Sequence, residues 1–136
     1  MKLRFCILFV IFSLTLSCSR KPDMSQPYIA LAGKFAHALA DEKFDVAHAL
    51  LTDDQKKLLS TAALKKEYEA MISYGPGPAK YVEVMQTLDA WPEKKKDDIG
   101  WVYVSIAGDS YSEAVTVVVT RTDAGLAIRT IEWGRP

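Results

Sequence analysis

Trp101-Val102-Tyr103-Val104-Ser105-Ile106 alternates with a period of two, and two further β-branched and aromatic segments follow it, Tyr111 to Arg121 and Leu126 to Trp133. Alternation of this kind predicts strands, and Gly108-Asp109 and Asp123-Ala124-Gly125 between them are hairpin signals. The expected unit is a three-stranded antiparallel meander. With Gly108-Asp109 as a two-residue loop, Val102 stands opposite Val115 and Tyr103 opposite Ala114. With Asp123-Ala124 as the second loop, Val115 faces Glu132 and Ala114 faces Trp133.

That register sorts the side chains. One face holds Val102, Val104, Ile106, Val115, Val117, Val119, Leu126 and Ile128, with Glu113 and Glu132 toward one end. The other holds Trp101, Tyr103, Ser112, Ala114, Thr116, Arg129, Ile131 and Trp133. The aliphatic face is the one to bury, and the aromatic face then needs a partner or a covering loop. A bulged turn would exchange one strand between the faces.

Upstream the period is helical. Tyr28, Leu31, Ala32, Phe35 and Leu39 recur at steps of three and four, and Asp41-Glu42-Lys43 interrupts them. A short helix follows with Phe44, Ala47, His48 and Leu51 on one side. Thr52 with Gln55 forms a capping box for a turn ending near Leu59, and Ser60 or Thr61 caps a longer helix carrying Leu64, Tyr68, Met71 and Ile72. Gly75-Pro76-Gly77-Pro78 ends it. Lys80 to Leu88 is a further strand, and Ala90 to Asp98, with Lys94-Lys95-Lys96-Asp97-Asp98, is expected to be a solvated connection.

Helices before an antiparallel sheet is an α+β order. The stretch Phe35-Ala36-His37-Ala38-Leu39-Ala40-Asp41-Glu42-Lys43-Phe44-Asp45-Val46-Ala47, with Glu113-Ala114-Val115, Leu126-Ala127-Ile128 and Glu132-Trp133, resembles the NTF2-like, cystatin-like-fold superfamily. The resemblance implies helices packed on a curved antiparallel sheet as a cone, across residues 28-136. It does not imply one activity, because the fold hosts enzymes and binding modules alike. Its isomerases and dehydratases place an acid or a His-Asp pair in the cone.

The chain begins differently. Lys2 and Arg4, then Phe5 to Phe12, then Ser13, Thr15 and Ser17 follow the charged, apolar, small-residue order of a secretory signal, and the apolar run is short of the ~20 residues a spanning helix needs. Leu14-Thr15-Leu16-Ser17-Cys18 resembles the bacterial lipobox, with Thr15 where that pattern prefers Leu. The resemblance implies cleavage before Cys18 and a thioether-linked lipid on it. The expected organisation is residues 1-17 as lipoprotein signal peptide, 18-27 as lipidated tether and 28-136 as the folded domain. The alternatives are a retained transmembrane anchor and a plain thiol at Cys18 after an ordinary leader. Ser19 in place of Asp points to the outer membrane, facing the periplasm, in a Gram-negative cell.

Composition narrows the chemistry. Without the 17 leader residues, 15 basic and 17 acidic side chains remain, a balance that argues against nucleic acid. Cys6 leaves with the leader, so the domain has no cysteine for a disulfide, a thiol nucleophile or a thiolate-bound metal. No cofactor is called for, and two histidines without a third ligand make a poor zinc site. His37 is expected to face solvent and His48 to be a satisfied core histidine. Glu113 and Glu132, diagonal on the aliphatic face, are either an acid-base pair or surface acids at an open end. Trp101, Tyr103, Arg129 and Trp133 either form a platform for an envelope protein or a glycan, or are simply covered by a loop or a second copy. The reading is a membrane-anchored, non-enzymatic binding or accessory module, with a small isomerase or dehydratase as the alternative.

Overall fold

The computed structural model describes residues 21-135. The leader, Cys18 and Ser19 lie outside the described residues. Four helices, α1 (Pro27–Ala40), α2 (Phe44–Ala49), α3 (Asp53–Leu58) and α4 (Thr61–Ile72), precede four strands, β1 (Tyr81–Leu88), β2 (Asp98–Ala107), β3 (Ser112–Thr122) and β4 (Gly125–Trp133). The strands form one antiparallel sheet in the order β1-β2-β3-β4. The fold is α+β, with the sheet open.

The helices begin and end for local reasons. Pro27 occupies the first turn of α1, where its missing N–H is no loss. Thr52 accepts from the Gln55 amide at 3.3 Å and Ser60 from the Ala63 amide at 3.1 Å, capping α3 and α4. At the end of α1 the Glu42 amide bonds to the Leu39 carbonyl at 3.0 Å and the Lys43 amide to the Ala38 carbonyl at 2.8 Å. That is a Schellman stop, and it needs a left-handed residue; Glu42 supplies it at φ 57°.

Ahead of α1, Ser19 to Pro27 reads as a flexible tether in sequence, but Asp23 folds its second half. Its carboxylate accepts from the Ser25 amide at 3.0 Å and the Ser25 hydroxyl at 2.6 Å, and its carbonyl accepts from the Gln26 amide at 3.0 Å. The turn lays the Met24 methyl 3.4 Å from where a Cβ on Gly33 would sit, at the seam between α1 and β1.

The core lies between the helices and one sheet face. Phe35, Leu39 and Leu64 from the helices and Val102, Val104, Ile106, Val115, Val117, Val119 and Ile128 from the sheet are fully buried together. Gly100 lets α1 approach, because the Tyr28 ring fills the space its Cβ would take, 2.3 Å away.

Two register expectations need correction. Ala107 pairs with Ser112, so the β2–β3 connection is the four residues Gly108 to Tyr111, and Val104 rather than Val102 faces Val115. Tyr111 sets this length: its ring is wedged between Gly75 and Gly108, where a Cβ on either would lie 2.7 Å or less from it. A shift of two leaves the faces of β2 and β3 unchanged.

The second change does alter the faces. The loop is Asp123-Ala124 as expected, with Thr122 opposite Gly125, but Val119 pairs with Ile128 and Val118 with Thr130. Arg129 is the extra residue of a bulge. Beyond it Ile131 faces Val117 and Trp133 faces Val115 on the core side, while Glu132 faces Thr116 on the outer side.

Replacing Glu42 with Gly relieves the left-handed strain of about 1 kcal/mol and gives back part of it as unfolded-chain entropy. Glu42→Gly is expected to raise stability by about 0.5 kcal/mol in urea unfolding, whereas Glu42→Ala is expected not to.

Candidate functional site

The outer sheet face carries the chemistry that the aliphatic core lacks. Among the described residues the buried polar side chains are Asp98, Thr116 and Thr120, and the register puts all three on that face. Asp98 opens β2 opposite Thr120, and the β4 bulge presents Arg129 on the far side of the same strand. The Arg129 Nε donates to Asp98 Oδ1 at 2.8 Å and its Nη2 to Oδ2 at 2.6 Å, a bidentate fork across three strands. The Lys95 amide adds a third bond to the carboxylate at 2.7 Å.

The Asp98 side chain is fully buried and that of Arg129 is 21% exposed. Burial pushes the Asp98 carboxyl up, but the hydrogen bonds from Arg129 and Lys95, the guanidinium charge and a bond with Thr120 outweigh it and hold the carboxyl below its ordinary value. Asp98 is therefore not part of the solvated connection expected from Lys94-Lys95-Lys96-Asp97-Asp98.

Beside this pair, Trp101 and Tyr103 stand on the same face two residues apart. Their rings are parallel within 9°, with centroids 6.2 Å apart. Opposite them on β3 are Val118 and Thr116, followed by Ala114. These β3 residues are buried although the helices lie on the other face, because the larger side chains of the flanking strands shelter them. The result is a half-buried aromatic stack, braced by a buried ion pair and facing away from the helices.

Trp133 is not part of it. With Met71, Ala70 and Glu67 of α4, Tyr74 in the turn after it, and Glu113 and Arg135, it lines an open groove of about 700 Å³ on the helix side of the sheet end. Of the expected platform, Trp101 and Tyr103 come together, Arg129 braces the same face, and Trp133 belongs to the groove. Glu113 and Glu132 cannot act as an acid-base pair, since Glu113 faces Ile106 on the core side and Glu132 faces Thr116 on the outer side. Arg135 approaches Glu113 at 3.9 Å.

The histidines have simple places. His37 is exposed on α1. His48 lies 2.8 Å from the Leu59 carbonyl through Nε2, and since a carbonyl only accepts, Nε2 carries the proton. That bond ties α2 to the end of α3. Burial pushes the Tyr68 phenol up, helped by Tyr111, Glu42 and Asp41. Among the described residues no group of three His, Cys, Asp or Glu is placed to hold a metal.

Arg129→Met leaves a buried carboxylate unpaired and is expected to cost about 3 kcal/mol at neutral pH. Because the folded Asp98 is depressed, the pair's contribution is present above the ordinary Asp value of about 4 and lost as pH falls through the folded one. The deficit of Arg129→Met in urea unfolding should therefore be largest at pH 7 and shrink on acidification below about pH 4. Comparison of the chain with protein-family models, with curated proteins and with solved structures returns no match.

Proposed function

We propose that this is a lipid-anchored envelope lipoprotein whose NTF2-like domain is a non-enzymatic binding module, with the outer face around Trp101 and Tyr103 as its contact surface for an envelope protein. The signal peptide and lipobox of the leader support the anchor on Cys18, and Ser19 supports the outer membrane. Helices on one face of an antiparallel sheet support the NTF2-like cone.

The observation that carries the binding reading is where polarity and aromatics fall. The helix–sheet interior is filled by fully buried aliphatic and aromatic side chains, while the rigid aromatic stack is turned outward. Stacked, entropically cheap rings beside a fixed Arg are the composition of protein contact surfaces. The isomerase or dehydratase alternative would have to work through Glu113, whose side chain is 13% exposed at the groove beneath α4.

Two measurements test this. Cys18→Ala is expected to move the protein out of the membrane fraction or leave it with its leader uncleaved; an unchanged, processed membrane protein would remove the anchor. A photoreactive residue in place of Ser105, on the outer face, is expected to give one discrete adduct with a second protein in cells. Trp101→Ala should abolish that adduct, and Trp133→Ala and Glu113→Gln should leave it intact. Loss of the adduct on Trp133→Ala instead would shift the contact to the groove.

A further inference from the structure

The two edges of the sheet are not alike. The outer edge of β4 is closed at Ile128, whose amide donates to the Leu50 carbonyl at 2.9 Å and whose carbonyl accepts from the Thr52 amide at 2.8 Å, a parallel bridge between Leu51 and Ile128. Among the described residues β1 pairs only with β2, and its outer edge is open. A bulge at Met85 interrupts it. Tyr81 and Met85 on this strand are 62% and 52% exposed, and Met24, laid against the α1–β1 seam beside Val84, is 52% exposed.

The described chain begins close to this edge, with Met24 at the α1–β1 seam. Cys18 precedes Met24 by six residues, a reach of at most about 20 Å even when fully extended. The Asp23 turn allows no further slack, since it fixes Met24 to the domain. A domain of this size is about 35 Å across. A lipid on Cys18 therefore holds the α1–β1 seam near the bilayer while α3, packed on β4, lies toward the other edge. Lys21 and Lys34, both exposed, flank Met24 and Gly33 in sequence and suit headgroup phosphates.

We infer that Met24 and the open β1 edge, through Tyr81 and Met85, rest in the interfacial region of the lipid surface that anchors Cys18. The inference depends on the lipid anchor proposed above. Thioethers and a tyrosine suit the headgroup boundary, where the exposed Glu83 between Tyr81 and Met85 keeps its carboxylate in the hydrated layer, and the bulge keeps the edge from inviting a neighbouring strand. Leu58 is the internal contrast, since it is 82% exposed but sits on α3, beside the closed edge.

The full chain, expressed with its own leader, tests it. Cleavage removes Cys6 and lipidation blocks Cys18, so a single introduced cysteine is the only free thiol. Met24→Cys, Tyr81→Cys, Met85→Cys and Leu58→Cys are each labelled with an environment-sensitive fluorophore and reconstituted in phosphatidylethanolamine–phosphatidylglycerol vesicles. Radiolabelled palmitate incorporation is measured in parallel. Labels at 24, 81 and 85 are expected to be several-fold less accessible to aqueous iodide than the label at 58, and to be quenched by doxyl lipid where 58 is not. Palmitate incorporation with all four labels equally accessible would overturn the contact while leaving the anchor standing. No incorporation would overturn both. Self-quenching between labels at 85 that disappears on dilution with lipid would place a second copy on the edge and overturn the contact.

Discussion

A strand offers only every second side chain to the layer beneath it, and in this protein the layer beneath is α1. Phe35, Leu39 and their neighbours can be sealed from water only if β2, β3 and β4 turn their aliphatic residues the same way. The bulge at Arg129 is how β4 meets that demand at both ends. Without the extra residue, Ile128 and Ile131 would point to opposite faces. With it both face the helices, and Arg129 itself is released to the outer side. The same local irregularity thus finishes the core and creates the ion pair with Asp98.

Much of this could be read from residue types. The α+β order, all eight elements within a few residues, the caps at Thr52 and Ser60 and the Asp123-Ala124 loop follow from local pattern. What could not be read depends on residues far apart. The β2–β3 loop is four residues long because Tyr111 needs the slot beside Gly75, more than thirty positions earlier. The bulge depends on an arginine finding an aspartate at a separation of 31. An Arg set between Ile128 and Ile131 is the available signal, but Asp98 stands in a charged run that reads as solvated.

The site was legible in part for the same reason. Trp101 and Tyr103 share a strand, so their spacing alone puts them side by side. Trp133 and Glu132 lie beyond the bulge, and one inserted residue exchanged them, dissolving the four-residue platform and the two-carboxylate pair together. Any functional pairing drawn across a strand is only as sound as the register between its members.

The bridge between Leu51 and Ile128 has a consequence for crowding. Proteins tethered to one surface meet at high effective concentration, where sheets with two free edges would chain into ribbons. Here the segment between α2 and α3 spends two backbone hydrogen bonds closing one side. The β1 bulge discourages edge-on joining, and any that did occur would stop at a pair, so the sheet does not grow into a ribbon even at high local concentration.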